Sequence, residues 1–116
     1  IKIYSYSACS TCKKALKWLN DKGLCYELFD ITKTPPSKAS LQMALAQLGD
    51  RKLLFNTRGV SYRNLGAEVV KKMSNHEALN ALFHDGKLIK RPFLITSKGK
   101  ILVGYKEDVW SQNILG

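Results

Sequence analysis

The sequence is short of cysteine and has no long hydrophobic run. Three cysteines in 116 residues are too few for a small secreted domain held together by several disulfides. No apolar run approaches the roughly 20 residues that a membrane helix needs, and no basic segment followed by an apolar stretch, as in an export signal, is seen at the start. We therefore expect a cytoplasmic protein with no membrane partner.

Acidic side chains are scarce as well. Nine Asp and Glu stand against nineteen Lys and Arg, which gives a formal net charge of +10. Most of the lysines are expected to be simply solvated, but the surplus also favours binding to an anion: an oxyanion, a glutathione carboxylate, an acidic protein or nucleic acid. The basic residues are scattered and form no known nucleic-acid motif, so we predict no direct nucleic-acid partner.

The order of elements predicts an α/β fold. Residues 1–4 and 25–31 have the apolar content of strands, and between them lies a helix with an apolar face formed by Cys12, Ala15, Leu16 and Leu19. A strand, helix and strand in about 30 residues make the two strands parallel. The length and the 45% hydrophobic content suit one domain over residues 1–116.

The middle of the chain predicts a mainly helical block over about residues 37–85. Thr34-Pro35-Pro36-Ser37 precedes one helix, which Gly49 ends, and Ser74-Asn75-His76-Glu77 matches the capping box of another. Beyond the block, residues 92–96 and 101–103 predict a β-hairpin, and residues 107–115 a last helix. An open sheet with helices on its faces accommodates this order.

The pair Cys9-x-x-Cys12 is the clearest sign of chemistry. Cys9 directly precedes the first predicted helix, where unpaired backbone N–H groups and the helix dipole favour negative charge. Its thiol should therefore ionise readily and act as a nucleophile. Cys12 lies one turn further on, on the apolar face, and should stay protonated and shielded. That asymmetry suits an attacking thiol followed by a resolving thiol.

A metal site is the alternative for such a pair, because Cys-x-x-Cys can be half of a zinc site. Structural zinc needs four ligands, and the remaining candidates, Cys25, His76 and His84, occur at no recognised spacing. We therefore predict no metal. Cys25 is expected to be a small core residue of the second strand, and the histidines to be surface or capping residues.

Four segments occur in an order and at a spacing that resemble one family. They are Cys9-Ser10-Thr11-Cys12, Asn56-Thr57-Arg58-Gly59 followed by Tyr62-Arg63-x-Leu65, Leu88-Ile89-Lys90-Arg91-Pro92, and Val103-Gly104-Tyr105-Lys106-Glu107-Asp108. Over essentially its whole length the chain resembles the arsenate reductase-related (ArsC-like) family, which includes YffB-type proteins and the Spx and MgsR regulators. The resemblance implies a thioredoxin-like fold with a helical insertion.

The resemblance also implies a site around Cys9. In the arsenate reductases that depend on glutathione or glutaredoxin, the matching cysteine attacks arsenate, and another thiol resolves the adduct. Pro92 would be a cis proline that faces this cysteine, and Arg91 would help to bind an anion beside it.

The anion site of those enzymes contains three arginines, of which only Arg91 is matched. The other two positions fall at or near Asn56 and Gly104. Arg58 lies close enough in sequence to substitute for one of them, and Lys13 is a further candidate for holding the anion or activating the thiol.

The leading functional hypothesis is a thiol-dependent oxidoreductase of this family. Cys9 would be the nucleophile and Cys12 the resolving thiol, acting on a small anionic substrate or a protein thiol. No cofactor would be bound, and glutathione, glutaredoxin or thioredoxin would be the external reductant. The alternative is an Spx- or MgsR-like transcriptional regulator that binds the RNA polymerase α-subunit and uses the two cysteines as a redox switch.

Overall fold

The computed structural model describes residues 1–116 as a four-stranded mixed sheet with helices packed on both faces. The elements in chain order are β1 (Lys2–Ser5), α1 (Ser10–Asp21), β2 (Glu27–Asp30), α2 (Lys38–Leu48), α3 (Val60–Leu65), α4 (Ala67–Lys72), α5 (Asn75–His84), β3 (Phe93–Ile95), β4 (Ile101–Val103) and α6 (Glu107–Trp110). Short 3-10 turns cover Arg51–Leu54 and Gly86–Leu88, and a wider helical turn over Ser111–Leu115 follows α6.

The strand order is β2-β1-β3-β4, so β2 and β4 are the sheet edges. β1 and β2 are parallel, with Lys2 opposite Glu27. β3 runs antiparallel to both β1 and β4. These pairings confirm the parallel first unit and the hairpin that the sequence predicts, and they confirm the α/β class.

Two hydrophobic clusters lie on the two faces of the sheet, because successive strand residues point to opposite sides. On one face the strand residues Tyr4, Phe93 and Ile101 pack against helices of the middle of the chain, including α2 and α5. On the other face Ile3, Leu94 and Leu102 pack against Ala15, Trp18 and Leu19 of α1 and Trp110 of α6. The second cluster fixes α1 on the sheet, and with it the start of that helix.

Local signals mark several helix ends as the sequence predicts. The Ser37 side chain caps α2 by accepting the Ser40 N–H, and Gly49 ends that helix in the left-handed conformation at φ 77°. Ser74 and Glu77 form the predicted capping box of α5. Gly86 then allows a close approach, since a Cβ there would overlap the carbonyl oxygen of Ile31 just beyond β2.

The prediction for Cys25 is wrong. The second strand begins at Glu27 rather than at residue 25, and Cys25 is exposed instead of lying in the core. The strand ladder with β1 starts only where Lys2 faces Glu27, so Cys25 precedes the paired region. No helix in the structure combines the length and apolar character required to cross a bilayer.

Candidate active site

Cys9 is the N-cap residue of α1. After β1 the chain turns so that the Cys9 N–H donates to the Tyr6 carbonyl (3.0 Å), and Cys9 has extended backbone angles. The Cys9 Sγ accepts the Cys12 N–H at 3.3 Å. No acidic side chain occupies the first turn of α1. The half-buried sulfur therefore lies where backbone donors and the helix dipole stabilise a negative charge.

Cys12 is almost completely buried, on the sheet-facing side of α1. Burial raises the pKa of its thiol to about 12, and the hydrogen bond with the Cys9 side chain acts in the same direction. A backbone hydrogen bond from Tyr6 and the charge of Arg91 oppose the rise only in part. Both cysteines are free thiols. Cys12 is thus a protonated, shielded thiol beside the more accessible sulfur.

Cys9 opens onto a cleft of about 420 Å³, here called the Cys9 cleft. Its lining includes four cationic side chains and no carboxylate: Arg58, Lys90, Arg91 and Lys106. Neutral hydrogen-bonding residues also line it: Ser10, Thr11, Asn56 and Tyr105. Such a concentration of one sign of charge in a concave site attracts anions.

A short pairing between two loops places the cations of the cleft. The Asn56 N–H donates to the Leu88 carbonyl and the Lys90 N–H to the Leu54 carbonyl, each at 2.7 Å. These bonds flank a β-bridge between neighbouring residues of the two loops. Because they hold residues 54–56 beside residues 88–90, Arg58 is brought to the same cleft as Arg91.

Arg91 has one nitrogen that no group of the protein satisfies. Its guanidinium lies over the Tyr6 ring, with Cζ 4.8 Å from the ring centroid, a cation–π arrangement. The Nη1 atom is buried and has no hydrogen-bond partner. A buried donor without a hydrogen-bond partner is energetically unfavourable. This nitrogen is therefore suited to donate a hydrogen bond to an anionic ligand.

Pro92 lies behind this surface. The Arg91–Pro92 peptide bond is cis, as the resemblance implies, and Pro92 is buried immediately before β3. Its carbonyl accepts the Gly104 N–H at 2.9 Å, and Gly104 lines the cleft. Pro92 is not itself in the cleft lining, so its contribution here is to join two of the segments that form the wall.

Lys13 is placed apart from the Cys9 cleft. It lines a neighbouring groove together with Cys12, Leu16 and Leu28. Lys13 follows Cys9 by four residues, and its N–H donates to the Cys9 carbonyl at 3.1 Å, but its exposed side chain is not among the residues that line the Cys9 cleft. The structure therefore brings Cys9, Arg58 and Arg91 together but not Lys13.

Sequence reasoning missed three residues of this region. Lys90 and Lys106 lie within the segments that carry the family resemblance, so their positions were a usable signal. Tyr6, which supports Arg91, has no signal beyond its place in the loop before Cys9. The three further residues considered as zinc ligands, Cys25, His76 and His84, are all exposed. The structure brings no three His, Cys, Asp or Glu side chains together in a group that could hold a metal ion.

Known proteins share both this sequence and this structure. The model of the ArsC family matches residues 4–113. The protein YusI of Bacillus subtilis (strain 168) is 43% identical over 115 residues, covering 97% of both chains. The crystal structure of a possible arsenate reductase from Streptococcus mutans UA159 superposes with a TM-score of 0.84 at 41% identity, covering 93% of this chain and 95% of that one.

More distant relatives have different functional names. The regulatory protein MgsR of Bacillus subtilis (strain 168) is 28% identical, covering 90% of this chain and 82% of its own. An arsenate reductase of Rhizobium meliloti (strain 1021) is also 28% identical, covering 94% and 78%. An ArsC family related protein from Bacteroides fragilis superposes with a TM-score of 0.84 at 33% identity, covering 96% and 94%. The chain has the thioredoxin-like fold of these proteins, and it belongs to the ArsC family.

Proposed function

We propose that this protein is a thiol oxidoreductase in which Cys9 attacks an anionic substrate bound in the Cys9 cleft. The observation that carries the proposal is the sulfur at the N-terminus of α1 opening onto a cleft with four cationic side chains. A cysteine reacts as its thiolate, and the N-terminus of a helix favours negative charge.

Substrate binding would be centred on Arg91. Its partnerless Nη1 is a ready donor to an oxygen of the substrate, and the planar guanidinium suits oxyanions and carboxylates. Arg58, Lys90 and Lys106 would neutralise the remaining charge. The substrate class is therefore a small anion: an arsenate-type oxyanion, or an anionic disulfide such as that of glutathione.

With arsenate as substrate, the Cys9 thiolate forms a sulfur–arsenic bond, and an arsenic-bound oxygen leaves as water after protonation. A second thiol then attacks the Cys9 sulfur. The sulfur–arsenic bond breaks with its electron pair going to arsenic, so arsenic(V) becomes arsenic(III) and arsenite departs. The two sulfurs, now joined in a disulfide, have lost two electrons between them, which balances the reduction.

Cys12 is the nearest candidate for the second thiol. It is hydrogen-bonded to the Cys9 side chain and lies on the same helical turn. Its high pKa keeps it protonated until Cys9 has reacted, when the negative neighbour that helps to raise that pKa is gone. A Cys9–Cys12 disulfide would then be reduced by glutathione, glutaredoxin or thioredoxin, with no bound cofactor, in a reducing compartment such as the cytoplasm.

The test is an activity assay with arsenate and with glutathione disulfide for the wild type, Cys9→Ser and Cys12→Ser. Arsenate is assayed both with glutathione and glutaredoxin and with thioredoxin and its reductase. Glutathione disulfide is assayed only with thioredoxin and its reductase, against the rate without this protein, because glutathione brings about no net reduction of its own disulfide. We expect Cys9→Ser to be inactive throughout. Loss in Cys12→Ser only with thioredoxin would identify Cys12 as the resolving thiol. Inactivity of the wild type with every combination would contradict the proposal.

A second candidate function is a redox-switched regulator of transcription. Two free thiols three residues apart support it, as do relatives named as regulators. In this case the RNA polymerase α-subunit would be the partner. The test is a pull-down with the C-terminal domain of that subunit, with the protein reduced and oxidised. Binding that changes with redox state is expected of a regulator, and no binding in either state excludes this function.

A further inference from the structure

The outer edge of β4 presents free backbone groups. In the antiparallel ladder the Thr96 N–H donates to the Lys100 carbonyl and the Gly104 N–H donates to the Pro92 carbonyl. The even-numbered residues on the β4 side are therefore the ones that hydrogen-bond to the β3 side. Ile101 and Val103 alternate with them and direct their N–H and C=O groups away from β3. No strand lies beyond β4 in the sheet.

A side chain occupies the first part of that edge. The Gln47 amide of α2 donates to the Gly99 carbonyl and accepts from the Ile101 N–H, both at 2.9 Å. This pair of bonds imitates those of a neighbouring strand. Beyond Ile101 the imitation stops, and Val103 is left facing an open groove.

The space beside β4, here called the β4 groove, has a volume of about 360 Å³. Leu48 and Leu53 line it on the side of α2, and Val109 and Trp110 line it on the side of α6. Leu53 is 49% exposed and Val109 38% exposed, both high for large apolar side chains. An open strand edge between two apolar walls is the geometry in which an extended peptide adds to a sheet.

Two lysines of the β4 groove indicate that a bound peptide would be acidic. Lys100 directly precedes β4 and Lys106 follows it, and both line the groove, which has no carboxylate. Val103 and Lys106 also line the Cys9 cleft, so the two concave surfaces are continuous. A chain lying along β4 would thus extend toward Cys9.

We propose that the β4 groove binds an extended segment of a partner protein, apolar at its centre and acidic at its ends, as an additional strand on β4. Its backbone would pair with Val103, its apolar side chains would contact Leu53 and Val109, and its carboxylates would face Lys100 and Lys106. Peptide binding requires no thiol step, because none of these contacts involves a sulfur, although Val103 and Lys106 are shared with the Cys9 cleft. A second copy of this chain is a weaker fit, since a net charge of +10 opposes self-association.

The probe is a capped heptapeptide, Glu-Glu-Val-Ile-Val-Glu-Glu, whose central apolar side chains reach both faces of an added strand; it is titrated into the ¹⁵N-labelled Cys9→Ser protein and followed by NMR. We expect the Val103 amide to shift and its hydrogen exchange to slow by about tenfold when the peptide is saturating. The matched control is the same peptide with lysine in place of each glutamate, for which we expect no shift. Equal binding of the two peptides would overturn the proposal.

Two charge-reversal variants test the groove itself. Lys100→Glu should raise the Kd of the acidic peptide by about three- to fivefold, as expected for one exposed ion pair. Lys98→Glu makes the same charge change on the adjoining turn, outside the groove lining, and should leave the Kd within about twofold.

Three other outcomes would overturn the proposal: shifts confined to the Cys9 cleft, equal effects of the two variants, or protection of the Val103 amide that depends on protein concentration without peptide. The last would assign the groove to a second copy of the chain. Iodoacetamide labelling of the wild-type Cys9, measured in parallel, reports on the proposed thiol function. Failure of one proposal is therefore distinguishable from failure of the other.

Discussion

The helices α1 and α5 begin with the same kind of hydrogen bond but with opposite chemistry. At α5 the Ser74 Oγ accepts the Glu77 N–H at 3.1 Å, and the Glu77 carboxylate accepts the Ser74 N–H at 2.9 Å. At α1 the Cys9 Sγ accepts the Cys12 N–H at 3.3 Å, and the first turn contains no acidic residue. The positive end of α5 thus has its own carboxylate, whereas that of α1 has only a sulfur.

The cap of α5 contributes to stability, whereas the start of α1 favours reactivity of the cysteine there. A capping box satisfies two backbone donors and stabilises the helix. A thiol is a weak cap, so α1 relies instead on tertiary packing of Ala15, Trp18 and Leu19 against the sheet. With no competing carboxylate, the electrostatic effect of the α1 N-terminus is available to a thiolate at Cys9.

The largest expected effect comes from giving α1 a hydroxyl cap like that of α5. Cys9→Ser should lower the rate of substrate reduction by about a thousandfold or more, because the nucleophile is lost. The free energy of unfolding should stay unchanged or rise by up to about 1 kcal/mol, since serine is a good N-cap. Reduction assays and urea denaturation measure the two quantities. A variant that keeps activity, or that is markedly destabilised, would contradict this assignment.

Alkylation of the individual thiols sharpens the contrast within α1. At neutral pH a thiol with a pKa of about 12 is ionised on the order of a thousandfold less than a free cysteine. Iodoacetamide should therefore modify Cys12 slowest and Cys9 fastest, with the exposed Cys25 as internal reference. Mass spectrometry of quenched samples gives each rate. Labelling of Cys12 at the rate of Cys25 in the folded protein would be inconsistent with its shielding.

Removing a cation from the Cys9 cleft tests whether substrate binding depends on the cleft arginine as well as on the N-terminus of α1. Arg91→Leu should weaken substrate binding by about tenfold or more, because a hydrogen bond between charged groups is lost. Arg63→Leu removes an exposed arginine that does not line the cleft, and should leave binding unchanged. The comparison is of KM values with the same substrate. Equal effects of the two changes would show that only the overall charge matters.

Removing the cap of α5 should affect stability alone. Ser74→Ala eliminates the hydroxyl that accepts the Glu77 N–H and should lower the free energy of unfolding by about 1 kcal/mol. Urea denaturation measures this change, and iodoacetamide labelling of Cys9 serves as the control that should not move. A changed labelling rate would mean that the two helix ends are coupled.

The smallest expected effect is the pH dependence of the same cap. Hydrogen bonds from the Ser74 backbone and side chain hold the pKa of Glu77 below its usual value. Since the folded-state pKa is the lower one, this contribution to stability is present above the ordinary pKa of glutamate and is lost as pH falls through the folded-state pKa. The stability difference between the wild type and Glu77→Gln should therefore shrink at acidic pH. Urea denaturation over a pH series measures it, and a difference independent of pH would rule out the carboxylate as its source.

Features set by neighbouring residues were predictable from the sequence. The buried face of α1, the capping box at Ser74 and the αL glycine at Gly49 all depend on residues within one or two turns. The exact first residue of β2 was not predictable, because an edge strand begins where hydrogen bonding to its neighbouring strand begins. Cys25 is exposed for that reason, since the register with β1 starts at Glu27.

The candidate site divides in the same way. The sequence by itself determined that Cys9 begins a helix and that Cys12 lies inside it, since helical periodicity acts over three to four residues. Only the tertiary structure decided which distant cations line the same cleft as Cys9, because Arg58, Lys90 and Lys106 are brought there by loop pairing and sheet order. The tertiary structure also decided that the Lys13 side chain lines a neighbouring groove and that the edge of β4 remains open. Such placements depend on contacts between segments far apart in the chain, which no local pattern encodes.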